Sequence, residues 1–288
     1  MKTSILMTCY LFILLPLTAY DKDASLSLTD MQQKELITSQ GTWRYAVSNH
    51  GSKAILFIHG ANSSHRIWHH QYSLSLTGYK NIFVNLLGYG GSDKPDGGYG
   101  LANWIEGLNQ LLKQEQLEEI CIVAHSNGVL FAKEFYRAFP HKVSRMLLLD
   151  GMLKPMIPPQ SLNWMKSTLE RSDYETFMAD QIRHMPVQGL SEADVVILKQ
   201  DARQTPKGVR MAEFDLITDD ASWQELQIDC PLTIVHADSP FWTEEYIDWL
   251  GQIAPGHRLI LWKDSGHFIP MQHADRLNRL IRELVEKP

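Results

Sequence analysis

The sequence predicts an α/β fold in which a mostly parallel central sheet carries helices on both faces and is interrupted by a helical insertion. Three observations predict it. Near-continuous apolar runs of strand length recur along the chain, they alternate with stretches of helical period, and the alternation lapses once, over residues 152–225. A strand buried on both faces has no polar side to show, so it reads as an unbroken apolar run. Helical crossovers are the usual connection between such strands.

Taken in order, the strand runs fall at 42–47, 54–58, 81–86, 119–124, 145–149, 231–237 and 257–262. Helical stretches follow at 101–116, 128–139, 243–252 and 274–286. In the last of these Leu277, Leu280, Ile281, Leu284 and Val285 make one apolar stripe. Residues 152–225 contain Pro155, Pro158, Pro159, Pro186 and Pro206, helical stretches, and scattered Met and aromatic residues, but no central strand. This segment reads as a helical cap over the C-terminal edge of a sheet built from residues 20–151 and 226–288. Met152, Met156, Trp164, Met165, Tyr174, Phe177, Met178, Met185, Met211 and Phe214 supply it with adaptable apolar surface.

The 288 residues are 44% hydrophobic and 21% charged, with a net charge of −6 and no basic block. That balance is ordinary for a globular domain and argues against a nucleic-acid partner. The N-terminus is distinctive: Met1-Lys2, an apolar stretch from Ile5 to Ala19, then Asp21 and Asp23. It reads as a secretory signal over residues 1–19, which implies export to a periplasm or the exterior. Leu17 fits poorly two residues before Ala19, so an uncleaved membrane anchor is the alternative; the stretch is short for a membrane span. Cys9 follows Met7-Thr8 and lacks a lipid-attachment context. Cys121 and Cys230 lie in or beside strands with one strand between them, roughly 9–10 Å apart. That separation is too long for a disulfide, and two free, buried thiols are expected.

The chemistry starts at Ser126. The run Ile120–Ala124 breaks into Ala124-His125-Ser126-Asn127-Gly128 and restarts at helical period. Small residues at 124 and 128 let strand and helix nearly touch, and the serine is pushed out at the corner. A serine hydroxyl is inert at neutral pH unless an oriented base removes its proton. His267, in the turn Asp264-Ser265-Gly266-His267 after the last strand, is the candidate base. An acyl-transfer intermediate also needs two fixed N–H donors, for which the main chains of Ala61 and Asn127 are the natural pair. His59 supports the Ala61 loop. His65 and His69 stand four apart, but no Cys or carboxylate lies near them in sequence, so no metal site is expected.

Together, His59-Gly60, Gly88-Tyr89-Gly90-Gly91-Ser92, Ala124-His125-Ser126-Asn127-Gly128 and Gly266-His267, in this order, resemble the α/β-hydrolase family over nearly the whole chain after residue 40. The resemblance implies the α/β-hydrolase fold, with Ser126 as nucleophile and His267 as base. Gly88-Tyr89-Gly90 runs on into Gly91-Ser92-Asp93-Lys94-Pro95 rather than a helix, which argues against a phosphate cradle. Asn85 stands where the family often has Asp. The acid has two candidates. The family most often takes it from the loop after the penultimate strand, where this chain offers Asp238. Some relatives, such as many haloalkane dehalogenases, take it from the end of the preceding strand, where Asp150 closes Met146–Leu149, 24 residues after Ser126. Asp150 is preferred and Asp238 kept as the alternative. Those dehalogenases use an Asp nucleophile, so their chemistry does not carry over.

The expectation is a serine hydrolase that cleaves a carboxylic ester or related acyl bond of a small, fairly hydrophobic substrate, with no cofactor or metal, and with Phe241 and Trp242 walling the pocket. Alternatives on the same residues are an acyltransferase, a lactonase, a thioesterase or a C–C hydrolase. From another class, a non-catalytic ligand-binding protein on the same scaffold is the rival.

Overall fold

The computed structural model describes residues 31–286. The segment 1–19 read as an export signal lies outside the described residues, and among those described no helix is long and apolar enough to cross a membrane. The strands are β1 (Gln32–Thr38), β2 (Gly41–Ser48), β3 (Lys53–Ile58), β4 (Tyr79–Val84), β5 (Ile120–His125), β6 (Val143–Leu149), β7 (Leu232–Ala237) and β8 (Arg258–Trp262). They form one sheet in the order β1-β2-β4-β3-β5-β6-β7-β8. The β1–β2 and β2–β4 pairs are antiparallel; from β4 across to β8 every pair is parallel.

Successive side chains of an extended strand point to opposite faces, and the apolar runs use both. Leu56, Ile58, Ile122, Ala124, Met146 and Leu148 enter one core. Their neighbours Ile55, Phe57, Cys121, Val123, Leu147 and Leu149 enter another. On the first face pack α1 (Leu101–Gln114), α2 (Gly128–Ala138) and α7 (Glu244–Ile253). On the second pack a 3-10 turn (His65–Gln71), the short α8 (Ile269–Gln272) and α9 (Ala274–Glu286), which buries Leu277, Leu280, Ile281 and Leu284. Val285 is only partly buried.

Between β6 and β7 come α3 (Pro159–Arg171), α4 (Tyr174–Arg183), α5 (Glu192–Gln204) and α6 (Lys207–Thr218). Leu169, Phe177, Met178, Ile182, Ala202 and Phe214 give these helices a small core of their own.

Three sequence expectations need correction. β1 was not anticipated: of its seven residues only Leu36 is buried, so it carries no apolar run. β4 begins and ends two residues before the expected 81–86. Asn85 and Leu86 are buried but have left the strand, the Leu86 N–H turning to Nε2 of His59 at 3.2 Å. Both described cysteines are free, but Cys230 is only partly buried, because it precedes β7 rather than lying in it.

Candidate active site

β5, β6, β7 and β8 end together, and their C-terminal edge carries the candidate residues. His125 pairs with Leu149 and Leu149 with Val235, so Ser126 and Asp150 leave adjacent strands side by side. Adjacent strands lie about 4.8 Å apart. Ser126 is held at φ +54°, a left-handed conformation, and its N–H donates to the carbonyl of Leu149 at 2.9 Å. The corner closes only around glycines. A Cβ on Gly128 would lie 2.6 Å from the carbonyl oxygen of His59, and one on Gly60 would lie 2.7 Å from Cβ of Ser126.

His267, five residues beyond β8, faces both neighbours. Its Nε2 lies 2.9 Å from Oγ of Ser126 and its Nδ1 lies 2.7 Å from Oδ2 of Asp150. A carboxylate only accepts, so Nδ1 carries the ring proton and Nε2 presents its lone pair to the serine hydroxyl. The other oxygen of Asp150, Oδ1, accepts the Ala237 N–H at 2.9 Å. Burial pushes the Asp150 carboxyl up, but the hydrogen bond and charge of His267, together with the Ala237 N–H, hold it below the ordinary carboxylate value. Asp238 is exposed, and its N–H bonds the carbonyl of Trp262. The fold thus brings Ser126, His267 and Asp150 together and leaves Asp238 aside.

Ala61 and Asn127 flank the serine from the loop after β3 and the start of α2. Neither main-chain N–H donates to a protein acceptor among the described residues. The α2 N-terminus adds its dipole at Asn127. His59 is fully buried, bridges the Leu86 N–H and the Gly60 carbonyl, and is pushed by burial down to about 4. Asn85 is buried, and its Oδ1 accepts the His65 N–H at 2.9 Å, which positions the loop beside Ala61.

Two cavities meet at the serine. One of about 340 Å³ is lined by Ser126, His267, Met152, Ile157, Phe241 and Trp242. The other, about 260 Å³, joins Ala61, Ser126 and His267 to Ile67, Met178, Met185 and Leu198. Phe241 and Trp242 thus share a cavity with Ser126 and His267. Of the ten residues expected to give the insertion adaptable apolar surface, only Met152, Met178 and Met185 line these two cavities. Phe177 and Phe214 build the inserted helices' core, with Tyr174, Met165 and Met211 against it, Met156 packs on the main core, and Trp164 is 68% exposed. A helical insertion without a strand beneath it must make its own core, and it takes most of these side chains to do so.

Two groups at the site gave no signal in the sequence. His236 is fully buried, 3.9 Å from Oδ1 of Asp150, and stacks on Trp242 with ring centroids 3.5 Å apart. Glu213 of α6 lies 3.5 Å from the Asn127 side-chain amide and also meets Arg210 and the Tyr89 hydroxyl. His65 and His69 of the turn after β3 do not act as a pair. His65 turns to Tyr72 and not to His69, and the carboxylate absent from the local sequence comes from Asp194, 124 residues after His70.

The chain belongs to the alpha/beta hydrolase family, whose sequence profile matches residues 55–280. An uncharacterized protein of Mycobacterium tuberculosis is 35% identical over 98 residues, 34% of this chain and 29% of its own length. A haloalkane dehalogenase of Agrobacterium fabrum is 30% identical over 107 residues, 36% and 35% of the two chains. The chain therefore matches well under half the length of these curated relatives. Among solved structures, a hydrolase from Pseudomonas aeruginosa superposes with a TM-score of 0.77 at 15% identity, covering 89% of this chain and 99% of its own; it shares the fold.

Proposed function

We propose that the chain is a serine hydrolase that cleaves a carboxylic ester or related acyl bond of a small, fairly hydrophobic substrate. The observation that carries this reading is the unbroken line Ser126 Oγ–His267 Nε2, His267 Nδ1–Asp150 Oδ2, with links of 2.9 and 2.7 Å. Ser126 Oγ attacks the acyl carbon as its proton passes to Nε2 of His267, and the carbonyl oxygen becomes an oxyanion held by the N–H groups of Ala61 and Asn127. The tetrahedral species collapses, the bond to the leaving oxygen breaks, and that oxygen takes the proton from His267. Water then repeats the sequence on the acyl-serine: His267 takes its proton, the acid departs, and Ser126 recovers its hydrogen.

Asp150 fixes the imidazole tautomer and balances its transient charge. The four inserted helices act as a cap, and the two cavities on either side of Ser126 give the acyl and leaving groups separate places. Their walls of Met, Ile, Leu and aromatic side chains favour apolar substituents. The A. fabrum relative is by name a haloalkane dehalogenase. Asp150 stands where such enzymes are expected to carry their acid, but Ser126 occupies the place of their Asp nucleophile. An ester formed on serine is opened by the same base that made it, which suits acyl transfer.

A fluorophosphonate probe tests the assignment. The folded wild type is expected to take up one label at Ser126 and the Ser126→Ala variant none. Absence of labelling on folded wild type, or labelling elsewhere, refutes it.

A further inference from the structure

We propose that His69, His70 and Asp194 form a binding site for a divalent transition-metal ion of the zinc class, tying inserted helix α5 to the 3-10 turn after β3. None of the three takes part in the chemistry above. Nε2 of His69 lies 3.1 Å, and Nε2 of His70 3.2 Å, from the same Oδ1 of Asp194, and the three donor atoms all fall within 4.8 Å of one another. Around a tetrahedral zinc with bonds of roughly 2.0–2.1 Å, neighbouring donors sit about 3.3 Å apart. The two nitrogen-to-oxygen distances match that spacing, and an ion shared by the two rings turns the stacked imidazoles apart until their nitrogens reach it too.

The surroundings orient two of the three groups, His69 and Asp194. Nδ1 of His69 is 3.0 Å from the carbonyl oxygen of Arg66. A carbonyl only accepts, so Nδ1 carries a hydrogen, and the neutral ring then turns the Nε2 lone pair toward a carboxylate oxygen. Two lone pairs at 3.1 Å repel unless positive charge lies between them, and either a proton or a metal ion supplies it. Backbone carbonyls placed behind histidine ligands are a recurrent feature of metal sites.

Asp194 is divided in the same way. Its Oδ2 accepts the Ser191 hydroxyl at 2.7 Å and the Ser191 N–H at 3.4 Å, while Oδ1 is left to the histidines. The His70 ring packs against that of His69 with centroids 3.8 Å apart. Two imidazoles and one carboxylate suit zinc and its neighbours; calcium and magnesium prefer oxygen alone. The Asp194 side chain is 4% exposed and that of His70 is 38% exposed, so one side is open for entry and for water as a further ligand.

The site joins two walls of the second cavity. His69 and His70 lie in the turn that also places Ile67 there, and Asp194 begins the helix that places Leu198 and Ala202 there. A bound ion stiffens that seam.

Zinc binding to the full chain without a polyhistidine tag, measured by calorimetry, tests the site, with melting temperature and cobalt(II) visible absorption as further readouts. One ion per chain, a melting temperature raised by zinc and returned by EDTA, and a cobalt band are expected. His69→Gln, His70→Gln and Asp194→Asn should each weaken zinc by about tenfold or more, while His141→Gln, exposed elsewhere, leaves it unchanged. Absence of saturable zinc binding to wild type, or wild-type zinc affinity in folded His70→Gln, overturns the proposal and leaves the trio an ion-paired clamp.

Discussion

Asp150→Asn separates orientation of the base from packing with very little disturbance. Oδ1 of Asp150 accepts the Ala237 N–H at 2.9 Å, and an asparagine oxygen keeps that bond. The change falls on the other atom, 2.7 Å from Nδ1 of His267. An amide NH2 there donates, so Nδ1 must accept and the ring proton moves to Nε2. The base then points a hydrogen at Ser126 Oγ, 2.9 Å away, and has no lone pair with which to take the serine proton. The carboxylate charge that steadies the imidazolium is lost as well.

In well-studied triads the same exchange costs roughly 10⁴ in kcat, or about 5 kcal/mol of barrier at 1.36 kcal/mol per decade. That exceeds the net worth of one charged hydrogen bond, about 1.5–3 kcal/mol, because orientation and charge vanish together. Ester turnover is measured for wild type, Asp150→Asn and Asp238→Asn, with thermal melting to certify each fold. The fluorophosphonate labelling rate should fall in parallel for Asp150→Asn. Asp238 is exposed and engaged through its main chain, so Asp238→Asn should stay near the wild-type rate. A collapse confined to Asp238→Asn refutes the reasoning. So does a folded Asp150→Asn that keeps more than about a tenth of wild-type kcat, given the expected 10⁴.

Two further outcomes follow from the same structure. Burial lowers His236 to about 4 from 6.5, so at intermediate pH the unfolded chain takes up a proton that the native one refuses. Its share of stability is therefore intact above the unfolded value and lost as pH falls toward 4, amounting to about 2 kcal/mol by pH 5. His59, lowered to about 4, and His65 and His125, lowered to about 3, all mainly by burial, act with the same sign. Urea unfolding at pH 8 and pH 5 should show the loss, and His236→Phe should reduce it; an equal loss in that variant would remove His236 from the account. Gly60→Ala places a Cβ 2.7 Å from Cβ of Ser126 and 3.2 Å from its Oγ, so the nucleophile must shift. Overpacking of this kind costs about 1–3 kcal/mol; kcat should fall by more than stability accounts for, and an unchanged kcat would show that the serine corner yields freely.

The sheet was legible wherever strands are buried on both faces, because burial forces apolar residues at every position. It was not legible at β1, an edge strand whose place is set by its ladder with β2, from Gln32 opposite Val47 to Thr38 opposite Gly41. Apolar character also overshot β4, since Leu86 is buried without belonging to a strand. Ser126 and His267 were legible because local backbone geometry leaves a mark: small residues at the corner, and a Gly-His turn after the last strand. The acid could only be narrowed, as Asp150 and Asp238 each close an apolar run, and the reach of His267 separates them. Asp194 was readable as the carboxylate of a Ser191–Asp194 capping box, yet nothing local tells that its second oxygen meets His69 and His70. Contacts made across 124 residues leave no local pattern.

The position of the acid bears on the shape of the pocket. Asp150 takes φ +47°, a left-handed conformation that Asp tolerates better than most residues, and so turns its carboxylate along the sheet edge toward His267. With the carboxylate supplied from β6, the loop after β7 need not carry one. That loop lines the larger cavity with Ser239, Phe241 and Trp242, leaving Asp238 in solvent. Trp242 also stacks on His236, whose buried ring comes within 3.9 Å of Oδ1 of Asp150. A dry carboxylate interacts more strongly with an imidazolium than a hydrated one. Trp242 thus belongs both to the wall of that cavity, with Phe241, and to the buried contact with His236 beside Asp150.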